Sequence, residues 1–160
     1  MSRRGRERLE LLLVCSSGGH LLQLWSLGEA WRGFERVWVT FDKSDARSLL
    51  REERVIRAHG PTNRNIANLL RNLALAWRVV GWHRPRVVLT TGAGVAVPFA
   101  WVGRLRGAKV VYVESLTRID GPSLSLRMIA PVAERVYAQW PELAEAVPKA
   151  RYAGSIFTPR

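Results

Sequence analysis

A short apolar run that stops abruptly in two glycines constrains this chain more than any other feature. Residues 9–15 are apolar apart from Glu10 and run straight into Ser16-Ser17-Gly18-Gly19-His20. A near-continuous apolar run of that length reads as a strand buried on both faces, the kind found in parallel sheets. The pattern then recurs along the chain. A helix is predicted over 21–31, a β-branched and aromatic strand over 36–41, and a short helix capped by Ser44, with Asp45 in its first turn. A weaker strand over 54–58 precedes a long helix capped by Asn63 or Asn65, running to about residue 82 and stopped by Pro85. Strands over 86–91, 109–114 and 135–138 alternate with helices after Gly94 and over 123–130, and a short helix and strand finish the chain. Strands alternating with helices specify an α/β fold, a Rossmann-like parallel sheet with helices on both faces.

Length supports one domain: 160 residues bury roughly 70% of the unfolded surface, enough for a core without staples. The single cysteine, Cys15, excludes an internal disulfide and reads as a buried small hydrophobe. The basic segment over residues 1–8 is expected to be a disordered tail, and no signal peptide is read in the apolar run behind it. No stretch approaches the ~20 apolar residues of a spanning helix, so the expected location is cytoplasmic, free or at a membrane surface.

Charge narrows the partners. The net charge of +12 points to an anionic partner such as nucleic acid, anionic lipid or a phosphorylated substrate. Between Glu53 and Glu114 there is no acidic residue, while Arg54, Arg57, Arg64, Arg71, Arg78, Arg84, Arg86, Arg104, Arg106 and Lys109 fall in that interval. Nucleic acid would account for the charge, yet zinc spacing, an aromatic single-strand platform and a helix-turn-helix pattern are all missing. The three histidines, His20, His59 and His83, lie far apart, so no metal site is expected.

In sheets of this kind ligands bind beyond the carboxyl ends of the strands, where the strand order reverses. Three segments should meet there. In Ser16-Ser17-Gly18-Gly19-His20 the glycines let a ligand approach the backbone, and the following helix offers free N–H groups, which suits a phosphate. The alternative is a tight strand-to-helix turn with Ser17 as its cap. Thr90-Thr91-Gly92-Ala93-Gly94 repeats that logic after the fourth strand. Glu114 closes the fifth strand and could bind sugar hydroxyls, act as a base, or form a salt bridge to a nearby arginine.

The long helix carries two stripes. Ile66, Leu70, Leu73, Trp77 and Val80 recur at helical spacing, and Arg64, Arg71 and Arg78 recur every seven residues. Leu69, Leu75, Val79 and Trp82 add apolar surface beyond one core-facing stripe. Either the helix rests on anionic lipid, or it is a core helix with a solvated arginine face.

Four blocks occur in order: Ser16-Ser17-Gly18-Gly19-His20, Thr91-Gly92-Ala93-Gly94 with Pro98, Tyr112-Val113-Glu114-Ser115, and Tyr137-Ala138-Gln139-Trp140-Pro141. Together, over residues 9–157, they resemble bacterial polysaccharide glycosyltransferase subunits of the PssD/CpsF type. Those subunits are similar to the membrane-anchoring subunit of the eukaryotic dolichol-linked GlcNAc transferase and to the N-terminal half of MurG. The resemblance implies the N-terminal, acceptor-side half of a GT-B fold, with residues 158–160 at the position of the interdomain junction. It implies a transferase subunit inactive without its partner, acting on a polyprenyl-pyrophosphate-linked acceptor and not on nucleic acid. His20 and Glu114 would be the catalytic pair, and Ser16, Ser17, Gly18, Gly19, Thr91, Gly92, Gly94 and Ser115 would bind acceptor phosphate. No cofactor belongs to this chain: the co-substrate, a nucleotide-sugar such as a UDP-sugar, would sit mainly on a second subunit carrying the other GT-B half. The eukaryotic relative begins with a spanning helix, whereas this chain begins with the basic segment. Peripheral attachment to the cytoplasmic membrane face is therefore expected through Arg64, Arg71, Leu75, Trp77, Arg78 and Trp82, or through the partner.

Overall fold

A computed structural model of the chain describes residues 9–157; the expected tails over 1–8 and 158–160 lie outside the described residues. Seven strands form one sheet: β1 (Leu11–Val14), β2 (Arg36–Phe41), β3 (Val55–Ala58), β4 (Val87–Thr90), β5 (Lys109–Val113), β6 (Arg135–Ala138) and β7 (Ala150–Tyr152). Their order is β3-β2-β1-β4-β5-β6-β7, and every neighbouring pair is parallel. The order reverses between β1 and β4, where Leu12 pairs with Val37 on one side and Val88 on the other.

Alternate residues of the strands feed two cores. Leu12, Val14, Val37, Val39, Val88 and Val110 face one layer, built by α4 (Ile66–His83), α5 (Ala96–Leu105), α6 (Leu124–Ile129) and α7 (Pro141–Ala146). Leu11, Leu13, Trp38 and Leu89 face the other, built by α1 (Gly19–Ser26), α2 (Gly28–Trp31) and α3 (Ser44–Leu49). Because side chains alternate between two buried layers, the central strands are apolar on both faces, which is why their runs read as near-continuous.

Local chemistry moved several boundaries. The helix expected over 21–31 is two helices broken at Leu27, and α1 begins earlier, at Gly19. Its cap is Gly18, not Ser17, at φ 77°, a left-handed conformation that glycine adopts without steric cost. Ser44 is the first residue of α3 rather than its cap, which is the extended Lys43. Of the two asparagines offered for α4, Asn65 caps it, its side chain accepting from the Asn68 N–H at 3.0 Å.

The orientation of α4 is the main correction. The stripe of Ile66, Leu70, Leu73, Trp77 and Val80 does not face the core: only Val80 is buried, while Ile66, Leu70 and Trp77 are 73%, 59% and 53% exposed. Asn68, Asn72, Ala76 and Val79 turn inward instead. Asn72 grips both backbone groups of His59, accepting from its N–H and donating to its carbonyl at 2.8 Å each, and Asn68 donates to the Pro61 carbonyl at 2.8 Å. Those amides satisfy the backbone of the segment after β3, and helix geometry then fixes the apolar stripe on the outside. Arg64 is not part of a helical arginine stripe, because it precedes the cap at φ 51°. Leu75 packs half-buried against the core.

Candidate functional site

The loops that follow β1, β4 and β5 meet at the strand-order reversal and border a cleft of about 1490 Å³. Ser16, Ser17 and His20 line it from the first loop, Ala93 and Gly94 from the second, and Ser115, Thr117, Arg118 and Ser123 from the third. The segment over 58–71 supplies the facing wall. Of the expected site residues, Thr91, Gly92 and Glu114 are buried behind this lining, and Gly18 and Gly19 are exposed but outside it.

His20, in the first turn of α1, joins the first two loops. Its Nδ1 lies 2.8 Å from the Thr91 carbonyl, and the Thr91 hydroxyl donates back to the His20 carbonyl at 2.7 Å. A carbonyl can only accept, so Nδ1 carries the proton, and a neutral ring keeps its lone pair on Nε2. Thr91 is thus a buried holder of the histidine rather than a ligand contact.

The glycine loop is partly satisfied from within. The Gly18 N–H donates to the Asp45 carboxylate at 2.6 Å, so one amide expected to face an anion already holds a carboxylate from the start of α3. A Cβ on Gly18 or Gly19 would meet nothing within 4 Å, whereas one on Gly92 would run into the Tyr112 hydroxyl. The glycine at 92, with φ 100°, therefore serves packing behind the loop. Gly94 lies where a Cβ would approach the Thr62 hydroxyl at 3.1 Å across the cleft wall.

Glu114 is fully buried, and its partners are not arginines. Its Oε1 accepts from the Ser115 N–H at 2.9 Å, the Ser123 hydroxyl at 3.0 Å and the Tyr112 hydroxyl at 3.2 Å; Oε2 accepts from the Ser123 N–H at 2.9 Å. The side chain ties both ends of the loop between β5 and α6. Burial, then the neighbouring Glu114, push the Tyr112 phenol well above its ordinary value, which keeps it a donor.

The cleft is cationic. Lys43, Arg64, Arg71 and Arg118 line it against one acid, Asp42. Asp42 is already bound by Arg47 at 2.7 Å and approached by Arg57 at 3.6 Å, and the hydrogen bond from Arg47 holds its carboxyl below the usual range. The rim is apolar and exposed: Ile66, Leu69, Leu124 and Met128 line the cleft and open onto the outer side of the α4–α5–α6 layer. That side continues through Leu70, Leu73, Trp77, Trp101 and Leu105, with Arg106 stacked 4.2 Å over Trp77. Among the described residues no helix is long and apolar enough to cross a membrane, and no cluster of side chains could hold a metal ion. No signal in the sequence marks Asn68, Asn72 or Gln23, and Asp45 is marked only as a first-turn acid; Gln23 and Asp45 bond partners 91 and 27 residues away, Asn68 and Asn72 the irregular backbone 7 and 13 residues before them.

The family model described as "Oligosaccharide biosynthesis protein Alg14 like" matches residues 40–156. The chain belongs to the Alg14-like family. The mouse protein named UDP-N-acetylglucosamine transferase subunit ALG14 is 27% identical over 183 residues, covering 94% of this chain and 84% of the mouse protein. Its Yarrowia lipolytica namesake is 34% identical over 89 residues, 52% of this chain and 41% of that protein. A Herminiimonas arsenicoxydans protein named for N-acetylglucosamine transfer to a pyrophosphoryl-undecaprenol substrate is 24% identical over 91% of this chain, which spans 44% of it. Among solved structures, Acinetobacter baumannii MurG superposes with a TM-score of 0.73 at 16% identity, over 95% of this chain and 47% of MurG. A UDP-N-acetylglucosamine 2-epimerase gives 0.73 at 11% identity, over 93% of this chain and 49% of its own. This Alg14-like fold is accordingly that of the N-terminal half of a GT-B enzyme, and the chain spans about half the length of those structures.

Proposed function

We propose that this Alg14-like chain is the acceptor-side subunit of a two-component glycosyltransferase, of the kind typified by bacterial PssD/CpsF subunits. It would bind a polyprenyl-pyrophosphate-linked saccharide at the cytoplasmic membrane face. A second subunit, carrying the other GT-B half, would hold the nucleotide-sugar; the names of the relatives point to UDP-N-acetylglucosamine.

One observation carries this reading: a cationic cleft at the strand ends whose rim is exposed apolar surface. An acceptor with an anionic pyrophosphate and a lipid tail needs both in continuity. Lys43, Arg64, Arg71 and Arg118 would meet the pyrophosphate, while Ile66, Leu69, Leu124 and Met128 would meet the first prenyl units and the membrane surface. Arg71, Trp77, Arg78 and Trp82 would extend that contact along α4. Ser16, Ser17, Gly94 and Ser115 would contact the acceptor directly, and Gly18, Gly19, Thr91, Gly92 and Glu114 would shape the loops that do so.

The chemistry follows from the held histidine. His20 Nε2 would take the proton of the acceptor hydroxyl as its oxygen bonds to the anomeric carbon of the donor sugar. The bond from that carbon to the nucleotide diphosphate breaks on the opposite side, inverting the centre, and the diphosphate leaves with the electron pair. Thr91 keeps the ring in the tautomer that can accept a proton.

The test is sugar transfer by the chain alone, by the chain with its partner subunit, and by a complex carrying His20→Ala. The reading expects turnover only from the complex and its loss, by about 100-fold or more, in the variant. Turnover by the isolated chain refutes the two-component assignment. Unchanged turnover in a His20→Ala complex that stays assembled makes the chain a non-catalytic anchor.

A further inference from the structure

The loop between β5 and α6 is held in an unusual way. Leu116 has both backbone groups bonded to distant side chains: its N–H donates to Gln23 Oε1 at 3.1 Å, and its carbonyl accepts from the Trp140 indole at 2.7 Å. Gln23 also donates through Nε2 to the Glu114 carbonyl at 2.7 Å. A buried glutamine amide thus spans the chain from residue 114 to residue 116, as a neighbouring strand would. Both backbone groups of Leu116 are thereby satisfied by side chains.

Gln23 sits on α1 three residues after His20, one turn along the same face. The same helix therefore fixes the loop after β4, through His20 and Thr91, and the loop after β5, through Gln23. Between the points held by Gln23 and Trp140 and the one held by Glu114 at Ser123, the chain presents Ser115, Thr117 and Arg118 to the cleft. The Ser115 and Thr117 hydroxyls are bonded to each other at 2.9 Å.

We infer that Gln23 is a positioning residue for the acceptor. It fixes the Ser115–Thr117–Arg118 platform at a set distance from His20, so that acceptor hydroxyl and base meet without a search. Gln23 lies outside the cleft lining and touches no substrate; it acts through the backbone it holds. The inference rests on the transferase reading above.

Its test compares Gln23→Leu with Trp31→Phe. The second variant also deletes a buried hydrogen bond, from the Trp31 indole to the Leu24 carbonyl at 2.9 Å, and Trp31 does not line the cleft. Both are assayed as full chains in complex with the partner subunit, by steady-state transfer and by amide hydrogen exchange at Leu116. Two lost bonds to a loop that must stay ordered should raise the acceptor KM about tenfold in Gln23→Leu and leave the nucleotide-sugar KM unchanged. Exchange at Leu116 should quicken about tenfold in the same variant and not in Trp31→Phe. An acceptor KM that moves no more than in Trp31→Phe, or unchanged exchange at Leu116, overturns the inference while leaving the transferase reading intact. A wild-type complex with no transfer at all refutes the transferase reading and this inference with it.

Discussion

Replacing Glu114 by glutamine separates a group that shapes the loop from one that does chemistry. The wild-type side chain accepts four hydrogen bonds and donates none, and it is fully buried. Glutamine keeps the shape but turns one oxygen into a donor. The least costly placement puts the amide nitrogen at the Oε2 position, because only the Ser123 N–H is directed there while three donors converge on Oε1. One buried backbone donor then faces another donor, and the three remaining bonds lose whatever charge assists them. An unsatisfied buried N–H costs about 1–3 kcal/mol, so about 2 kcal/mol is expected, or a Tm lower by about 4–8 °C for a chain of this size. Glu114→Ala removes the acceptor from all four donors, of which only one of the Tyr112 and Ser123 hydroxyls, 3.1 Å apart, can turn to the other, and should cost about 3–5 kcal/mol. Urea unfolding followed by tryptophan fluorescence reads both. A Glu114→Gln variant of unchanged stability that had nevertheless lost transfer would refute this reasoning and make Glu114 a group in the reaction.

Other perturbations should sort by mechanism. Gly18→Ala meets only an unfavourable backbone conformation, φ 77° with ψ −136°, costing about 1–3 kcal/mol, whereas Gly92→Ala adds a collision with the Tyr112 hydroxyl and should cost more; the reverse order by denaturant titration would contradict the packing role of Gly92. Burial pushes the Cys15 thiol up to about 12 from its ordinary 9.0, the weak bond to Thr40 opposing it. The folded state therefore keeps the proton that the unfolded chain loses, so this contribution is intact below about pH 9 and fades as pH rises toward 12. Alkylation of Cys15 at pH 8 should track global unfolding, and Cys15→Ala should remove part of the alkaline loss. Trp77→Glu places charge on the outer side of α4, where Trp77 is exposed, and should cut flotation with anionic vesicles about tenfold at little cost in Tm; unchanged flotation would put the membrane contact elsewhere.

The sheet was legible because the interiors of its central strands are apolar on both faces and β1, β2, β4 and β5 run out into serine, glycine or acid, and the bounds read for β2 and β6 are the observed ones. The facing of α4 was not. Periodicity weighs Ile66, Leu70, Leu73 and Trp77 as core, and nothing local reveals that Asn68 and Asn72 have backbone partners at His59 and Pro61. Once those amides are satisfied inside, the apolar stripe has to lie outside, which strengthens the interfacial reading of the helix over the core reading. The candidate loops were found from glycine and strand ends, but which atoms face the cleft depends on long-range bonds. The carboxyl of Glu114 turns inward because Tyr112 and Ser123 supply donors there, and Gly18 points its amide at Asp45, 27 residues away in sequence.

An acceptor-side subunit of the kind proposed above holds the acceptor and leaves the nucleotide-sugar to its partner. Equilibrium binding of a short-chain polyprenyl-pyrophosphate-linked saccharide to the isolated chain in detergent, with UDP-N-acetylglucosamine as competitor, tests it most directly. Saturable binding is expected that weakens about tenfold in Arg71→Ala and does not respond to the UDP-sugar. Displacement of the acceptor by UDP-sugar, or tight binding of UDP-sugar with no affinity for the lipid-linked saccharide, would contradict it.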